Sequence, residues 1–265
     1  MISSRFILIT NDDGIHATGI TALENRLSAE GVSHAVAAPL HEKSGCGHSI
    51  TLHDPLRARK LADHRFAVHG TPADAVILYF DAPLHQKPDL VISGINLGGN
   101  LAHDLTYSGT VCAAIEGFYH GVTSIAVSLY FGKGSQATCA PDPYFKAAAD
   151  LFVGKILPFM EAACGGRDLY ETPRLFNVNI PVSAFKKKRP VIRWTSLGKR
   201  NYGGQIIKRE DPRGRPYYWI GGDQLGFEDI PGSDCNAMRD GEVSITPLTT
   251  HFTDEKTLNR LRKKT

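Results

Sequence analysis

The first half of the chain alternates short apolar runs with segments whose apolar residues recur at helical spacing. Residues 5–10 and 33–38 have the length and composition of buried strands, and residues 19–30 between them place Ile20, Leu23 and Leu27 on one helical face. The same alternation continues with strands predicted at 66–69, 90–95, 124–129 and 175–181, and with helices predicted from residue 72 to about 80, at 111–119 and at about 144–162. Strands alternating with helices predict a mostly parallel sheet flanked by helices, an α/β fold.

The pattern changes after residue 175, where short extended segments follow one another. Residues 190–197 are extended, and residues 205–210 and 216–220, joined by DPRGR, predict an antiparallel hairpin. A strand at 243–247 and an amphipathic helix at 254–264, with Leu258 and Leu261 facing inward, end the chain. We interpret the chain as one domain over residues 1–265, with a core (1–181), a hairpin extension (about 190–225) and a C-terminal strand and helix (243–265). The extension either packs on its own core or contacts another subunit.

Composition and charge narrow the class of protein. The chain has 265 residues, of which 42% are hydrophobic, enough for one α/β domain with an appendage or for two small domains. Its formal net charge of +3 favours no particular partner, and we interpret the basic runs at 186–189 and 260–264 as solvated surface rather than a nucleic-acid site.

Five cysteines are scattered along the chain without a C-x-x-C pair. They are Cys46, Cys112, Cys139, Cys164 and Cys235. This spacing argues against a disulfide framework and against a cysteine zinc site, and it is typical of a reducing compartment. No apolar run has the length of a membrane span or of a signal-peptide core followed by a cleavage site, so we expect a cytoplasmic protein without a membrane partner.

Three polar clusters follow predicted strands. Asn11-Asp12-Asp13 follows the first strand, and Lys43-Ser44-Gly45 lies in the loop after the second strand. The third cluster is the glycine-rich segment 93–100, at the end of the strand at 90–95, together with Ser108-Gly109-Thr110 at the end of the same loop. If these strands are neighbours, the three clusters meet at one edge of the sheet, where open α/β sheets bind ligands. Each cluster taken alone has a structural explanation: an Asp-Gly turn, a loop with positive φ at glycine, and a helix N-cap.

Taken together, the clusters favour a metal site beside an anion site. Asp12 and Asp13 supply anionic oxygens and Ser44 and Asn96 neutral ones, a ligand set that suits Mg²⁺ or Mn²⁺. A helix that begins at Ser108 presents unpaired backbone N–H groups to an anion. A divalent cation beside a phosphate site indicates phosphoester chemistry.

Several competing motifs are absent from the sequence. It contains no P-loop signature, no dinucleotide-binding G-x-G-x-x-G after the first strand, no G-x-S-x-G elbow and no H-E-x-x-H. Four histidines, His16, His48, His69 and His103, lie near the proposed site. We assign them ordinary surface or hydrogen-bonding roles, because histidine placement alone indicates little.

These motifs resemble the SurE family, the stationary-phase survival proteins, which are metal-dependent 5'/3'-nucleotidases. The matching segments, in family order, are ILITNDDGIHATGI, KSG, HGTPADAV, PDLVISGINLGGNL, YSGTVCAAIEG, FNVNIP and VSITPL. The resemblance implies a Rossmann-like core whose protruding hairpin and terminal helix assemble a homodimer or homotetramer by segment exchange. It also implies nucleoside monophosphate substrates, and in some members short polyphosphate.

The resemblance further implies one divalent metal ion (Mg²⁺ or Mn²⁺) per subunit, held by Asp12, Asp13, Ser44 and Asn96. We accordingly predict Asp12, Asp13 and Asn96 as catalytic residues. The predicted phosphate-binding residues are Asn11, Lys43, Gly45, Asn100, Ser108, Gly109 and Thr110.

The sequence departs from the family pattern in two loops. The arginine-rich segment before the serine is replaced by LHEKSG, which keeps a positive charge only at Lys43, and His103 stands where an acid is usual. The metal-ligand positions are unaffected, so substrate preference is where we expect differences. A nucleotide-binding module without turnover and a metal-dependent nucleotide-sugar transferase remain the alternative functions.

Overall fold

The computed structural model describes residues 2–82, 86–132, 142–201, 206–220 and 226–263. Its strands are β1 (Phe6–Thr10), β2 (Ser33–Pro39), β3 (Ala58–Ala62), β4 (Arg65–Val68), β5 (Leu90–Leu97), β6 (Thr123–Tyr130), β7 (Leu175–Pro181), β8 (Ile192–Trp194), β9 (Arg200–Asn201), β10 (Ile206–Glu210), β11 (Pro216–Ile220), β12 (Gly226–Phe227) and β13 (Val243–Leu248). Its α-helices are α1 (Thr18–Ala29), α2 (Pro72–Asp81), α3 (Gly109–Tyr119), α4 (Asp142–Leu151), α5 (Leu157–Ala163), α6 (Asp168–Glu171), α7 (Asp234–Arg239) and α8 (Glu255–Arg262).

Within the described ranges, nine strands form one twisted sheet in the order β3-β4-β2-β1-β5-β6-β7-β13-β8. The six strands from β4 to β7 in this order are mutually parallel, whereas β3 and β13 each pair antiparallel with a neighbour. The predicted α/β architecture is therefore confirmed. The three strands that precede the polar clusters, β2, β1 and β5, are adjacent, so their carboxyl ends lie side by side.

Helices cover both faces of this sheet. The apolar face of α1 packs with α4 and α5 against one side, where Ile20, Leu23 and Leu27 are fully buried, as the helical spacing predicts. On the other side, α2 and α3 pack against Leu8 and Val91. The first turn of α3 therefore lies directly over the carboxyl ends of the central strands.

The long helix predicted at about residues 144–162 is present, but it is interrupted. A single wide π-helical turn, Phe152–Ile156, separates α4 from α5. Pro158 follows this turn and has no N–H group to donate to the carbonyl four residues earlier, which gives the regular ladder a physical reason to slip there.

The C-terminal third differs from the sequence-based expectation at two places. Segment Ile192–Trp194 extends the main sheet, parallel to β13, so the hairpin extension begins later than residue 190. The hairpin itself is confirmed as β10 and β11, apart from residue 205, which lies outside the described residues. Leu261 was expected to face inward, but it is 53% exposed, because α8 buries no residue against its own chain.

The sequence analysis also missed short elements. Helix α7 and strand β3 have no clear apolar periodicity, since α7 is six residues long and β3 is mostly exposed. The cysteine spacing argued against a disulfide framework. The four described cysteines are free thiols: Cys46, Cys112, Cys164 and Cys235.

A buried carboxylate fixes the start of α2. Asp74 is 1% exposed; its Oδ2 accepts hydrogen bonds from Thr71 N at 2.8 Å and Thr51 Oγ1 at 2.6 Å, and its Oδ1 accepts one from Thr51 N at 2.9 Å. With the Thr71 hydroxyl accepting from Asp74 N, this is a reciprocal capping box. It ties α2 to the loop that follows β2.

We therefore expect Asp74→Ala to lower the free energy of unfolding by roughly 2–4 kcal/mol, because it removes a cap and leaves buried donors unpaired. Urea unfolding followed by circular dichroism measures the change. The matched control is Asp63→Ala, whose side chain is 88% exposed and should change stability by less than about 0.5 kcal/mol. Equal losses in the two variants would contradict the assignment.

Candidate active site

The site forms where β1 ends. Asn11 and Asp12, which follow the last strand residue, are 0% and 4% exposed, and Asp13 is half-buried. The main-chain oxygen of Asp12 accepts a hydrogen bond from Lys43 N at 2.8 Å. This bond holds the loop after β2 against the end of β1.

The two aspartates each contact a different neighbouring loop. Asp12 Oδ1 accepts a short hydrogen bond from the hydroxyl of Thr110, in the first turn of α3. Asp13 Oδ2 accepts a hydrogen bond from Leu97 N at 3.2 Å, at the end of β5. The three polar clusters of the sequence are thus brought together at one edge of the sheet.

Electrostatics at this edge favour a cation. Burial raises the pKa of Asp12, and the hydrogen bond from Thr110 opposes this only in part. Burial, and then the neighbouring charge of Asp12, raises the pKa of Asp13 to about 7. Glu42 adds further negative charge near both carboxyl groups. Two carboxylates in such surroundings are stabilised by a positive ion between them.

The loop after β2 contributes Ser44 and Gly45, which are exposed. Gly45 adopts the left-handed conformation, with φ of +73°. The hydroxyl of Ser44 donates to Glu42 Oε1 at 2.7 Å, which leaves its oxygen lone pairs able to bind a cation. Gly47 N donates to Tyr107 O at 3.0 Å and thereby ties this loop to the segment that leads into α3.

Helix α3 points its N-terminus at Asp12. Ser108 is the N-cap, and its Oγ accepts from Val111 N at 3.1 Å. The backbone N–H groups in the first turn of a helix have no intrahelical partner and carry the positive end of the helix dipole, an arrangement that favours an anion. Gly109 allows the close approach: a Cβ there would lie 2.7 Å from Asp12 Cβ and 3.0 Å from Cys46 Sγ.

Asn96 lies in a bend of β5. The register between β5 and β6 shifts between Ser93 and Asn96, and a Cβ on Gly94 would lie 2.3 Å from the carbonyl oxygen of Val127. Only glycine fits there. The amide nitrogen of Asn96 donates to Gly98 O at 2.8 Å, which orients the side chain and leaves its oxygen as the atom for a ligand.

Two predicted phosphate-binding asparagines are held by internal hydrogen bonds. Asn11 donates through Nδ2 to Gly14 O at 2.9 Å, while its Oδ1 is buried and has no hydrogen-bond partner among the described residues. Asn100 is 9% exposed and donates through Nδ2 to Ser128 Oγ at 2.8 Å. Its role in phosphate binding stays a prediction, as do those of the other predicted site residues.

Other polar groups near the site have structural partners. His48 hydrogen-bonds Glu116 Oε1 through Nε2 at 2.5 Å and stacks on Tyr119, whereas His16 and His69 are exposed. Within the described part of the chain, no three His, Cys, Asp or Glu side chains cluster as a metal site. None of the described helices has the length and apolar character needed to cross a membrane.

The sequence analysis missed the side chains that support the site from behind. Thr110 was predicted to bind phosphate, but its bond to Asp12 was not foreseen. Asn177, Asn179 and Ser128 were assigned only to strands, and they hydrogen-bond Asn100. Polar residues inside otherwise apolar strand runs were the signal that could have indicated them.

The close packing of Gly109 on Asp12 yields a stability prediction. We expect Gly109→Ala to destabilise the protein by about 1–3 kcal/mol, because the added methyl group overlaps the Asp12 side chain. Gly154→Ala is the matched control: it is also a helical glycine, but its Cβ would be 3.9 Å from the nearest atom, Arg26 Nη2, so the change should be neutral or stabilising. Urea unfolding of both variants tests this, and an unchanged stability of Gly109→Ala would contradict the packing.

Comparison with known proteins agrees with this geometry. The family model described as "Survival protein SurE" matches residues 7–204. The chain is 45% identical to the 5'-nucleotidase SurE of Geotalea uraniireducens, over 97% of this chain and 98% of the relative. It is 44% identical to that of Geobacter sulfurreducens, over 97% and 92% of the two chains. It also resembles the crystal structure of the SurE protein from Aquifex aeolicus, with a TM-score of 0.77 and 36% identity over 97% and 98% of the two chains. The chain therefore belongs to the SurE family.

Proposed function

We propose that this protein is a divalent-metal-dependent phosphomonoesterase that hydrolyses nucleoside 5'-monophosphates to nucleoside and phosphate. The observation that carries the proposal is the contact between Asp12 and Thr110, which sets a buried carboxylate pair against the N-terminus of α3. The pair suits a cation and the helix terminus suits a phosphate. The curated relatives named 5'-nucleotidase SurE, at 44–45% identity over nearly the whole chain, support nucleotides as the substrate class.

The residues present fit a divalent ion. Burial raises the pKa of both aspartates, so a cation bound to the ionised pair offsets a cost that the fold otherwise carries. The donors are oxygens, the ligand type that Mg²⁺ and Mn²⁺ prefer. The buried and unpartnered Oδ1 of Asn11 beside them is a further acceptor that favours a cation or its water.

Asp12, Asp13, Ser44 and Asn96 would hold the ion, one per subunit. A bound divalent ion supplies Lewis-acid polarisation of the phosphoryl group and lowers the pKa of water. The hydrogen bonds from Thr110 and Leu97 occupy one oxygen of each aspartate, and each carboxylate has a second oxygen for the ion or for a proton.

The phosphate-binding role falls to the first turn of α3. Backbone N–H groups at Gly109 and Thr110, with the hydroxyl of Ser108, bind the phosphoryl oxygens and stabilise the charge that redistributes on them in the transition state. Asn11, Lys43, Gly45 and Asn100 complete the proposed set.

Asp12 or Asp13 would accept the proton of the attacking water. A covalent aspartyl-phosphate is the other route. A trapped phosphoenzyme distinguishes the covalent route from direct attack, because water attacks phosphorus in both routes and solvent ¹⁸O enters the phosphate either way. Hydrolysis of 3'-monophosphates and of short polyphosphate also belongs to the proposal.

The first functional prediction concerns Asp12. We expect purified protein to release phosphate from nucleoside 5'-monophosphates only with Mn²⁺ or Mg²⁺, and Asp12→Asn to lower kcat by roughly 10²-fold or more. Saturating Mn²⁺ should raise the melting temperature of the wild type and leave that of Asp12→Asn unchanged, since binding to the native state alone stabilises it.

Asp12→Asn keeps an oxygen for the hydrogen bond from Thr110, so its metal-free stability should not fall below that of the wild type. The control is Asp63→Asn, an exposed carboxylate on the β3–β4 turn, which should retain full activity. Nucleotide binding without phosphate release, with any divalent ion, would replace the hydrolase proposal by the binding-module alternative. Turnover of a nucleotide sugar to a transfer product would favour the transferase.

Assembly into a homodimer or homotetramer, and a cytoplasmic location, complete the proposal. The hairpin leaves large apolar side chains exposed, among them Ile207 at 39% and Trp219 at 60%, which face each other across the two strands. Helix α8 and the segment before it also expose apolar side chains, and Phe252 is 95% exposed. Apolar surface of this kind on a soluble chain is typical of an interface.

The hairpin gives the second functional prediction. The double substitution Ile207→Ser and Trp219→Ser should reduce the number of subunits measured by multi-angle light scattering, because it removes the apolar cross-strand pair. The control Glu210→Ser changes an exposed polar residue of the same hairpin and should leave the mass unchanged. An unchanged mass in the double variant would exclude this face from the interface.

A further inference from the structure

A group of buried polar side chains lies behind the loop of residues 97–100. Asn179, fully buried on β7, holds the main chain of Asn100 at both groups: its Oδ1 accepts from Asn100 N at 2.9 Å, and its Nδ2 donates to Asn100 O at 2.9 Å. Asn177, also fully buried, donates to the same oxygen at 2.8 Å. We name these three bonds from Asn177 and Asn179 the asparagine clamp.

The clamp restrains a loop that contacts two of the proposed metal ligands. Leu97 N, at the first residue of this loop, donates to Asp13 Oδ2 at 3.2 Å. Gly98 O accepts from Asn96 Nδ2 at 2.8 Å and so orients the Asn96 amide. The orientations of Asp13 and Asn96 therefore depend on where residues 97 and 98 lie.

The pairing of β5 with β6 ends at Leu97, which pairs with Leu129, so the sheet fixes the near end of this loop but not Asn100. Asn96 pairs with Ser128, and Ser128 with Asn179, so the three residues lie in one row across β5, β6 and β7. Beyond this row, Gly98 has a left-handed φ of +111° and bonds β6 through Gly98 N to Leu129 O at 3.0 Å. Glycine restrains the chain little, which makes an anchor at Asn100 necessary for a single loop conformation.

Side-chain amides suit this task because each can donate and accept at once. Asn179 replaces both hydrogen bonds that a neighbouring strand would make with Asn100, and Asn100 Nδ2 adds a bond to Ser128 Oγ at 2.8 Å. No apolar residue at 177 or 179 would satisfy these buried main-chain groups, although both positions lie in the core of the sheet.

We propose that Asn177 and Asn179 are positioning residues of the metal site: they fix the loop of residues 97–100 and thereby hold Asp13 and Asn96 in their ligating orientations. This inference rests on the proposed function only for the identity of the metal ligands. Neither asparagine is catalytic, because each acts through the main chain of Asn100.

The experiment measures Mn²⁺ affinity of the full chain by electron paramagnetic resonance of the free ion, which requires no turnover. Asn179→Ala removes the acceptor of Asn100 N and one of two donors to Asn100 O, so its Kd for Mn²⁺ should rise about tenfold or more. Asn177→Ala removes only one donor to Asn100 O and should give a smaller rise in the same direction. Phosphate release by both variants should recover towards the wild-type kcat at excess Mn²⁺.

The matched control is Asn236→Ala. Asn236 is 6% exposed on α7 and donates to Asp229 Oδ1 at 2.7 Å, so its loss lowers stability without touching the loop. Its Kd for Mn²⁺ should equal that of the wild type, whatever its urea midpoint. This control separates positioning from a general loss of stability.

If the folded Asn177→Ala and Asn179→Ala variants bind Mn²⁺ with the same Kd as the wild type, the inference is overturned and the proposed function is left intact. If Asn179→Ala does not fold, Asn177→Ala decides alone, since it keeps both bonds between Asn179 and Asn100. A wild-type protein that binds no Mn²⁺ would instead overturn the metal site itself, and the inference with it.

Discussion

The structure depends on the burial of two adjacent carboxyl groups at the end of a central strand. Asp12 is buried, Asp13 is half-buried and the two are adjacent, so the ionised pair is costly unless something compensates its charge. The surrounding protein supplies a hydroxyl from Thr110 and one backbone N–H from Leu97. These neutral donors offset part of the cost of burying the charges, and a bound cation would offset the rest.

Compensation requires that several loops reach the same point, and small residues make this possible. Gly109 lets the first turn of α3 touch Asp12, and Gly94 lets β5 bend against β6 before Asn96. Any side chain at either position would push the first turn of α3 or the Asn96 loop away from the aspartates. The proposed cation site and the proposed phosphate site therefore have a common steric origin.

Buried polar side chains from β7 and α7, in the second half of the chain, hold the loop that follows β5. Asn177 and Asn179 on β7 fasten Asn100, and Asp234 on α7 accepts a hydrogen bond from Ala102 N at 2.8 Å, where the backbone has a left-handed φ of +53°. The segment between β5 and α3 is thus held by buried polar groups from distant parts of the chain. A site built on glycine-rich loops becomes rigid in this way without losing its close approaches.

The sequence predicted the main strands and helices, the mostly parallel sheet and the residues at its edge, because apolar periodicity and strand-end polar clusters are local signals. It could not determine that Thr110 bonds Asp12, that Asn179 holds Asn100, or that Ile192–Trp194 joins the main sheet. It also placed Leu261 inward, where the structure exposes it. These features depend on distances between residues far apart in the chain, and those distances are set when the chain folds.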